Sequence, residues 1–546
     1  LSLHDALPIS RELFETCLLL SKRLDKKYNK QTIAAKMTDV PGHTRSIIDP
    51  MYDAGIRLLH VGINSACPLP SVPTFCRWRS PSGNDLLLVY QKDYGEDEVL
   101  PDGKTVVSIN FTGDNHGPHS YERVKKIYAD LRKRYPQAQL VGASFNDVAR
   151  ELLLIKKDLP VVTSEIGDTW IFGYGGAPIR MAKFRAVSRL YSQWLNEGKI
   201  KKDSDVALDF AAELGLIAEH TQGVDVKTHL RQWDKYDMDK FLKGRSEGVF
   251  SMAEASWKEI DNYIDSAIAF LPASLQKEAR EVVAEVDKVK LEDNSKMKPM
   301  ARKRWEQPIA GGMTLAGLSY QMFDGDDYDD FQNRYLRARY EWALDDLGKR
   351  GLKESHAVSV TLYAQTMAQS VRKEKKGTRI ITELRFPENE KVDKRVYPER
   401  IQVNCFTTKN GKRSEVALTI YGKPAVRLPE SYWLSFTVPG IELVIAEKMG
   451  ERVNLMDVVE KGNRQMHGID RYVDLITSGE TIRISSKEAF LLNVGEAQGL
   501  NYSTNYPDKR KGVHFNLNNN LWGTNFSMWN EGSLTYHFVI ETLSRK

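Results

Sequence analysis

Between residues 32 and 166, short runs of consecutive apolar residues alternate with longer stretches whose apolar residues recur every three or four positions. The runs are TIAAKMT (32–38), IRLLHVGI (56–63), DLLLVYQ (85–91), TVVSINFT (105–112), AQLVGASF (138–145) and LPVVTSEI (159–166). They are rich in Val, Ile and Leu, as strands buried on both faces are. Stretches 44–54, 120–134, 145–157 and 178–196 have helical spacing. The alternation predicts a parallel α/β sheet or barrel over 11–202. In such folds the site forms in loops after the strand C-termini.

From 203 to 355 strand-like runs give way to helical spacing, clearest at 251–271, 274–290 and 329–350, with 291–313 reading as a loop. From 356 to 546 the pattern becomes many short strand candidates, among them TRIITELRF, RIQVNCFTT, EVALTIYG and TIRISS, separated by turn residues. That pattern predicts a β-sandwich. Three blocks are therefore expected: an α/β domain, a helical domain and a β-sandwich domain.

The remaining composition is that of a globular chain. Of 546 residues, 41% are hydrophobic and 28% charged, and the net charge is +5. So small a charge over this length makes no case for a nucleic-acid partner. No apolar run reaches the roughly 18 residues of a membrane span. Cys17, Cys67, Cys76 and Cys405 show no CxxC spacing and make neither a zinc finger nor a disulfide framework. The first ten residues, LSLHDALPIS, lack an initiating Met and resemble translated adapter sequence. They are set apart as non-native, and the chain is expected to lack its true beginning. A periplasmic or secreted location therefore stays open, as does the oligomeric state.

Four loops carry the polar residues that could do chemistry. KMTDVPGHT (36–44) places Asp39 after a strand, where it serves either a site or an Asx turn, with Thr44 capping the next helix. FTGDNHGPHS (111–120) offers Asp114, His116 and His119, and turn formation accounts for them equally well. SEIGDTWIFGYGGAP (164–178) sets Glu165 and Asp168 beside Trp170, a combination that suits sugar hydroxyls and ring faces and equally a Gly-rich turn packed by aromatics. It fails the phosphate-binding glycine pattern. LGLIAEHTQGVD (214–225) offers His220, which could hold a metal only together with distant carboxylates.

Taken in this order, DVPGH, GDNHGP, SEIGDTWIFGYGG and EHTQGVDVKTHL, with GVHFNLNNNLWGTNFSMW at 512–529, resemble the bacterial family called domain of unknown function 5054. That family is remotely similar to the glycoside hydrolase family 38 α-mannosidases. The resemblance implies a (β/α)7-type barrel, a helical bundle and β-sandwiches, acting on a carbohydrate by a zinc-dependent retaining mechanism. By alignment of motifs it implies Asp39 as nucleophile and zinc ligand, His220 as zinc ligand and Asp114 as acid/base. The segment holding Glu165 aligns with a region near the sugar, while Asp168 and Trp170 are read as sugar contacts from the pairing of carboxylates with aromatics. An upstream His-x-Asp pair, which would supply two more ligands, is absent from 11–38. The chain as given is accordingly expected to hold zinc poorly and to be inactive.

The chemistry gives those residue types a reason. A glycosidic bond breaks through an oxocarbenium-like state, with one carboxylate attacking the anomeric carbon and another protonating the leaving oxygen. Two rival readings remain. One is a carbohydrate-binding protein without catalysis. The other is a metal-dependent polysaccharide deacetylase, ranked lower because its Asp-Asp pair and H-x-x-x-H helix are not visible.

Overall fold

The computed structural model describes residues 9–113, 116–167, 169–293, 295, 297–523 and 525–543. Its first sheet has five strands. β1 (Ala34–Asp39) pairs in parallel with β2 (Leu58–Ile63), and β2 with β4 (Asp85–Gln91). β3 (Phe75–Arg79) runs antiparallel to β4, and the two-residue strand Val161–Val162 closes the order beyond β3. Successive side chains of a strand point to opposite faces, and both faces here are covered. Leu86, Leu88 and Tyr90 join the large central core, while Leu87 and Val89 join a smaller cluster with Leu58, Ala149 and Leu152.

This is a mixed sheet, and the expected set of six parallel strands needs correcting. The run 105–112 yields only Val106–Val107, in a hairpin with Glu98–Val99, and 138–145 forms no strand. β-propensity expresses itself only where a neighbouring strand offers pairing and burial.

The helices fall close to where the spacing put them. α1 (Arg11–Tyr28) starts at Ser10, whose hydroxyl accepts the Leu13 N–H at 3.3 Å. Of the ten residues set apart in the sequence, Ile9 is buried and Ser10 caps α1; the other eight lie outside the described residues. α2 (Ile48–Asp53), α3 (Tyr121–Arg134), α4 (Phe145–Leu154), α5 (Pro178–Asn196) and α6 (Asp205–Leu214) follow. α1 docks on α5 and α6 through the Thr16–Tyr191 hydroxyl pair at 2.7 Å and the Cys17 thiol, which donates to the Ala211 carbonyl at 3.4 Å. Helices Ser251–Ala269 and Ala273–Asp287 continue the helical block. That block is not free of strands: Thr314–Met322 is a nine-residue strand of a C-terminal sheet.

The C-terminal half holds two large antiparallel sheets of seven and ten strands. Phe436 and Phe515 of the first meet Phe538 of the second at ring distances of 5.4 and 5.1 Å. Such edge contacts are favoured aromatic geometries. The Tyr536 hydroxyl donates to the Leu517 carbonyl across the same gap at 2.8 Å.

The two halves are stitched by buried charge. Lys448 and Glu165 pair at 2.9 Å with side chains only 2% and 4% exposed. Arg45 reaches Glu451 at 2.8 Å. The Arg185 guanidinium, fully buried, donates to carbonyls of Lys487, Ile469, Asp470 and Ser486.

Candidate active site

Three adjacent parallel strands end at the same place. Asp39 is the last residue of β1 and pairs with Ile63, the last of β2. Asn64 follows β2, and Tyr94 lies three residues beyond β4. Asp39 has φ +84°, a left-handed backbone uncommon for any residue but glycine. This turn aims its carboxylate at the loops. Oδ1 accepts the Tyr94 hydroxyl at 2.5 Å and the Asn64 amide at 3.2 Å. Oδ2 faces His220 Nε2 at 3.1 Å.

His220 comes from a turn locked on the opposite side. α6 gives way to a 3-10 turn, Gly215–Ala218, and the Tyr174 hydroxyl donates to the Ala218 carbonyl at 3.1 Å. The Gln222 amide donates to the carbonyls of Ile217 and Glu219 at 3.0 and 2.6 Å, and itself accepts from Arg180 at 3.0 Å. The imidazole is flanked by Glu219 at Nδ1 and Asp39 at Nε2. Trp170 stands beside it with ring centres 5.9 Å apart, and Trp522 stands 6.2 Å from Trp170.

The electrostatics agree with this arrangement. Burial pushes the Asp39 carboxyl up, but the hydrogen bond and charge of His220, with Tyr94 and Asn64, outweigh it and hold Asp39 below the usual carboxylate range. Burial pushes His220 down, yet Asp39 and Glu219 together raise it to about 9. The resting pair is imidazolium and carboxylate. Beneath them Lys36 of β1 donates to His60 Nδ1 at 3.1 Å, while His60 Nε2–H donates to Gln91 at 3.0 Å. Burial lowers Lys36 to about 8, with Asp39 opposing that shift.

The residues singled out in the sequence do not all gather here. Asp39 and His220, 181 positions apart, are in contact, and Trp170 lines the same place. Glu165 is 3% exposed, and its oxygens accept from the Thr44 hydroxyl, the Arg45 N–H and Lys448. The structure thus puts Glu165 in the seam between the halves. Asp114 and Asp168 lie outside the described residues. Asn64 and Tyr94 went unnoticed in the sequence. The signal that exposed Asp39, a polar residue just past a buried strand, applies equally to both.

Zinc can be tested against the donors. Asp39 Oδ2 and His220 Nε2 are two donors on one spot, whereas a catalytic zinc site keeps three protein ligands. Glu219 sits on the far nitrogen of the imidazole. Among the described residues, no group of three or more His, Cys, Asp or Glu is placed to hold a metal. The described residues do not by themselves fit a zinc ion.

Comparison with known proteins adds a family match over part of the chain. Residues 175–307 match the family described as Domain of unknown function (DUF5054). The resemblance expected from the motifs is found there. The DUF5054 segment runs from the turn before α5 through His220 to the loop past the helical block, and does not include Asp39. An α-mannosidase from Enterococcus faecalis V583 has a similar fold: TM-score 0.55, 10% identity, 99% of this chain and 77% of that one covered. A glycosyl hydrolase family 38 protein from Enterococcus faecalis matches with TM-score 0.49 and 9% identity over 99% of this chain and 76% of that one. No curated protein sequence matches the chain. At such identities the likeness is one of fold. Among the described residues no helix is long and apolar enough to cross a membrane.

Proposed function

We propose that the chain is a glycoside hydrolase-type protein, α-mannosidase-like and retaining, with Asp39 as nucleophile on a partial barrel. One observation carries the reading. A buried carboxylate sits at the C-terminal end of a parallel strand in strained left-handed backbone, ionised by its neighbours and flanked by His220, beside which Trp170 stands. Strain of this kind costs about 1–3 kcal/mol and persists where the surroundings enforce it, often at sites. Tyr94 and Asn64 hold Oδ1, so Asp39 has one fixed orientation. In the first step an Asp39 oxygen bonds to the anomeric carbon while the glycosidic C–O bond breaks. The leaving oxygen takes a proton from the acid, the role the motif gives Asp114. Trp170 would stack on the sugar. His220 balances the charge of Asp39 before attack. Zinc has no step in this account.

Two donors of the four implied by the resemblance make rapid turnover an unsuitable test, so trapping is preferable. An activated 2-deoxy-2-fluoro-mannosyl fluoride should leave a covalent sugar on the Asp39 peptide, seen by mass spectrometry, and Asp39→Asn should abolish it. Metal analysis should find well under one zinc per chain. Mannose-type ligands that bind without an adduct would transfer the chain to the carbohydrate-binding reading. Neither binding nor adduct would end both.

A further inference from the structure

The loops that hold Asp39 are themselves held by one side chain from far along the sequence. Arg337 lies two residues beyond the helix Gly325–Tyr335. Its backbone N–H donates to the Ala66 carbonyl at 2.8 Å. Its guanidinium donates to the Cys67 carbonyl at 3.2 Å, to the Ser65 carbonyl at 2.8 Å and to Asp93 Oδ1 at 2.7 Å. One planar fork therefore ties the loop after β2 to the loop after β4, a task that suits arginine and not lysine. Those loops are the ones that carry Asn64 and Tyr94. Asn64 is joined to its loop by the Ala66 N–H, which donates to Asn64 Oδ1 at 2.9 Å. Asp93 and Tyr94 both have left-handed backbone, φ +55° and +66°. Such a pair of non-glycine residues needs outside contacts to persist.

We infer that Arg337 is a positioning residue for Asp39, acting through Asp93–Tyr94 and the 65–67 turn. The inference rests on the reading of Asp39 as the reacting carboxylate. Without the tie, the Tyr94 loop relaxes toward ordinary backbone, its hydroxyl leaves Oδ1, and Asp39 loses its fixed orientation. A misplacement of about 1 Å at a reacting group costs up to about 100-fold in rate.

The test separates this from the glycosidase reading. Tyrosine labelled with carbon-13 at Cζ reports hydrogen bonding of each hydroxyl by NMR, and the Tyr94 line is the one lost in Tyr94→Phe. In Arg337→Ala that line should move toward the position of exposed tyrosines. Asp93→Asn should move it the same way by less, and Arg337→Lys should fall between Arg337→Ala and the wild type. Adduct formation should slow 10- to 100-fold in Arg337→Ala. The double variant with Tyr94→Phe should be no slower than the slower single variant. A line unmoved in both Arg337→Ala and Asp93→Asn overturns the inference even if the wild type forms an adduct. A line that moves in protein forming no adduct leaves the tie standing and removes the glycosidase reading. If Arg337→Ala does not fold, Asp93→Asn decides alone.

Discussion

In the five-stranded sheet, β1, β2 and β4 end at Asp39, Ile63 and Gln91, and the chain next supplies Asn64, Asp93 and Tyr94 to one small volume. In the ten-stranded sheet consecutive strands such as Gln365–Lys373, Gly377–Arg385, Arg400–Thr408 and Arg413–Lys423 turn back on their neighbours. The left-handed positions differ accordingly. Beyond residue 314 the described non-glycine cases are Met449 and Lys461, each directly before a glycine. In the first sheet's loops they are Asp39, Asp93 and Tyr94, which touch one another or adjoin those that do. Strain is concentrated where side chains converge, and part of the buried charge lies where the two halves meet. The comparison teaches that the antiparallel half acts as a support. It holds the parallel half through Lys448, while Asp39 belongs to the parallel sheet.

The largest expected effect tests that support. Lys448→Met leaves Glu165 buried with only the Thr44 hydroxyl and the Arg45 N–H. Breaking a buried pair from one side costs about 3–5 kcal/mol. Urea unfolding should report that loss, and adding Glu165→Gln should return part of it. A loss below about 1 kcal/mol would mean that the Lys448–Glu165 pair does little to hold the halves together.

Acid should weaken both halves through neutral buried histidines. Burial, with help from Lys36, lowers His60 to about 3; burial, with help from Lys448, lowers His467 to about 3; burial lowers His514 to about 4. Each folded pKa is below the unfolded value of about 6.5. The stabilisation is complete above pH 6.5 and is lost as pH falls toward 3, because the unfolded chain takes up protons first. At pH 4 each of His60 and His467 should cost about 3 kcal/mol. His467→Gln, which keeps a donor for the Arg464 carbonyl now 2.8 Å from Nε2, should reduce the pH dependence of the denaturation midpoint between pH 7 and 4.5. An unchanged slope would show that His467 is not the group titrating.

Much of this was legible in the sequence, and unevenly so. The strands 85–91, 400–408 and 481–486 and the helix 178–196 match their patterns residue for residue, because each has an apolar period and turn residues at both ends. Phe75–Arg79 was missed because two arginines break its apolar run, yet Phe75, Cys76 and Trp78 are buried. Thr314–Met322 was missed because its partners, Glu430–Thr437 and Val360–Tyr363, lie far along the chain. At the site, Asp39 and His220 were legible as polar residues following apolar runs. The seam role of Glu165 was not, since it depends on Lys448, 283 positions away.

Gly62 offers an intermediate effect confined to the first sheet. A Cβ there would lie 2.6 Å from the Tyr94 carbonyl oxygen, a backbone atom that cannot swing aside. Gly62→Ala should cost about 1–3 kcal/mol, in the range of overpacked cores. It should also displace Tyr94 from Asp39. Calorimetry and the rate of sugar trapping measure the two effects separately. Trapping at the wild-type rate in a destabilised variant would show that the Tyr94 hydroxyl does not control how Asp39 is held.

The smallest effect is the control that gives the others their meaning. Arg23 of α1 and Asp209 of α6 pair at 2.6 Å, closer than Lys448 and Glu165, but with side chains 40% and 36% exposed. Water already solvates both partners, so the attraction is screened and the ordering of two long side chains opposes it. Arg23→Ala should change stability by about 0.2–1 kcal/mol, less at high salt. If it instead costs as much as Lys448→Met, distance and not burial would govern these pairs. The contrast between a charged seam inside the molecule and a charged surface outside it would then lose its physical basis.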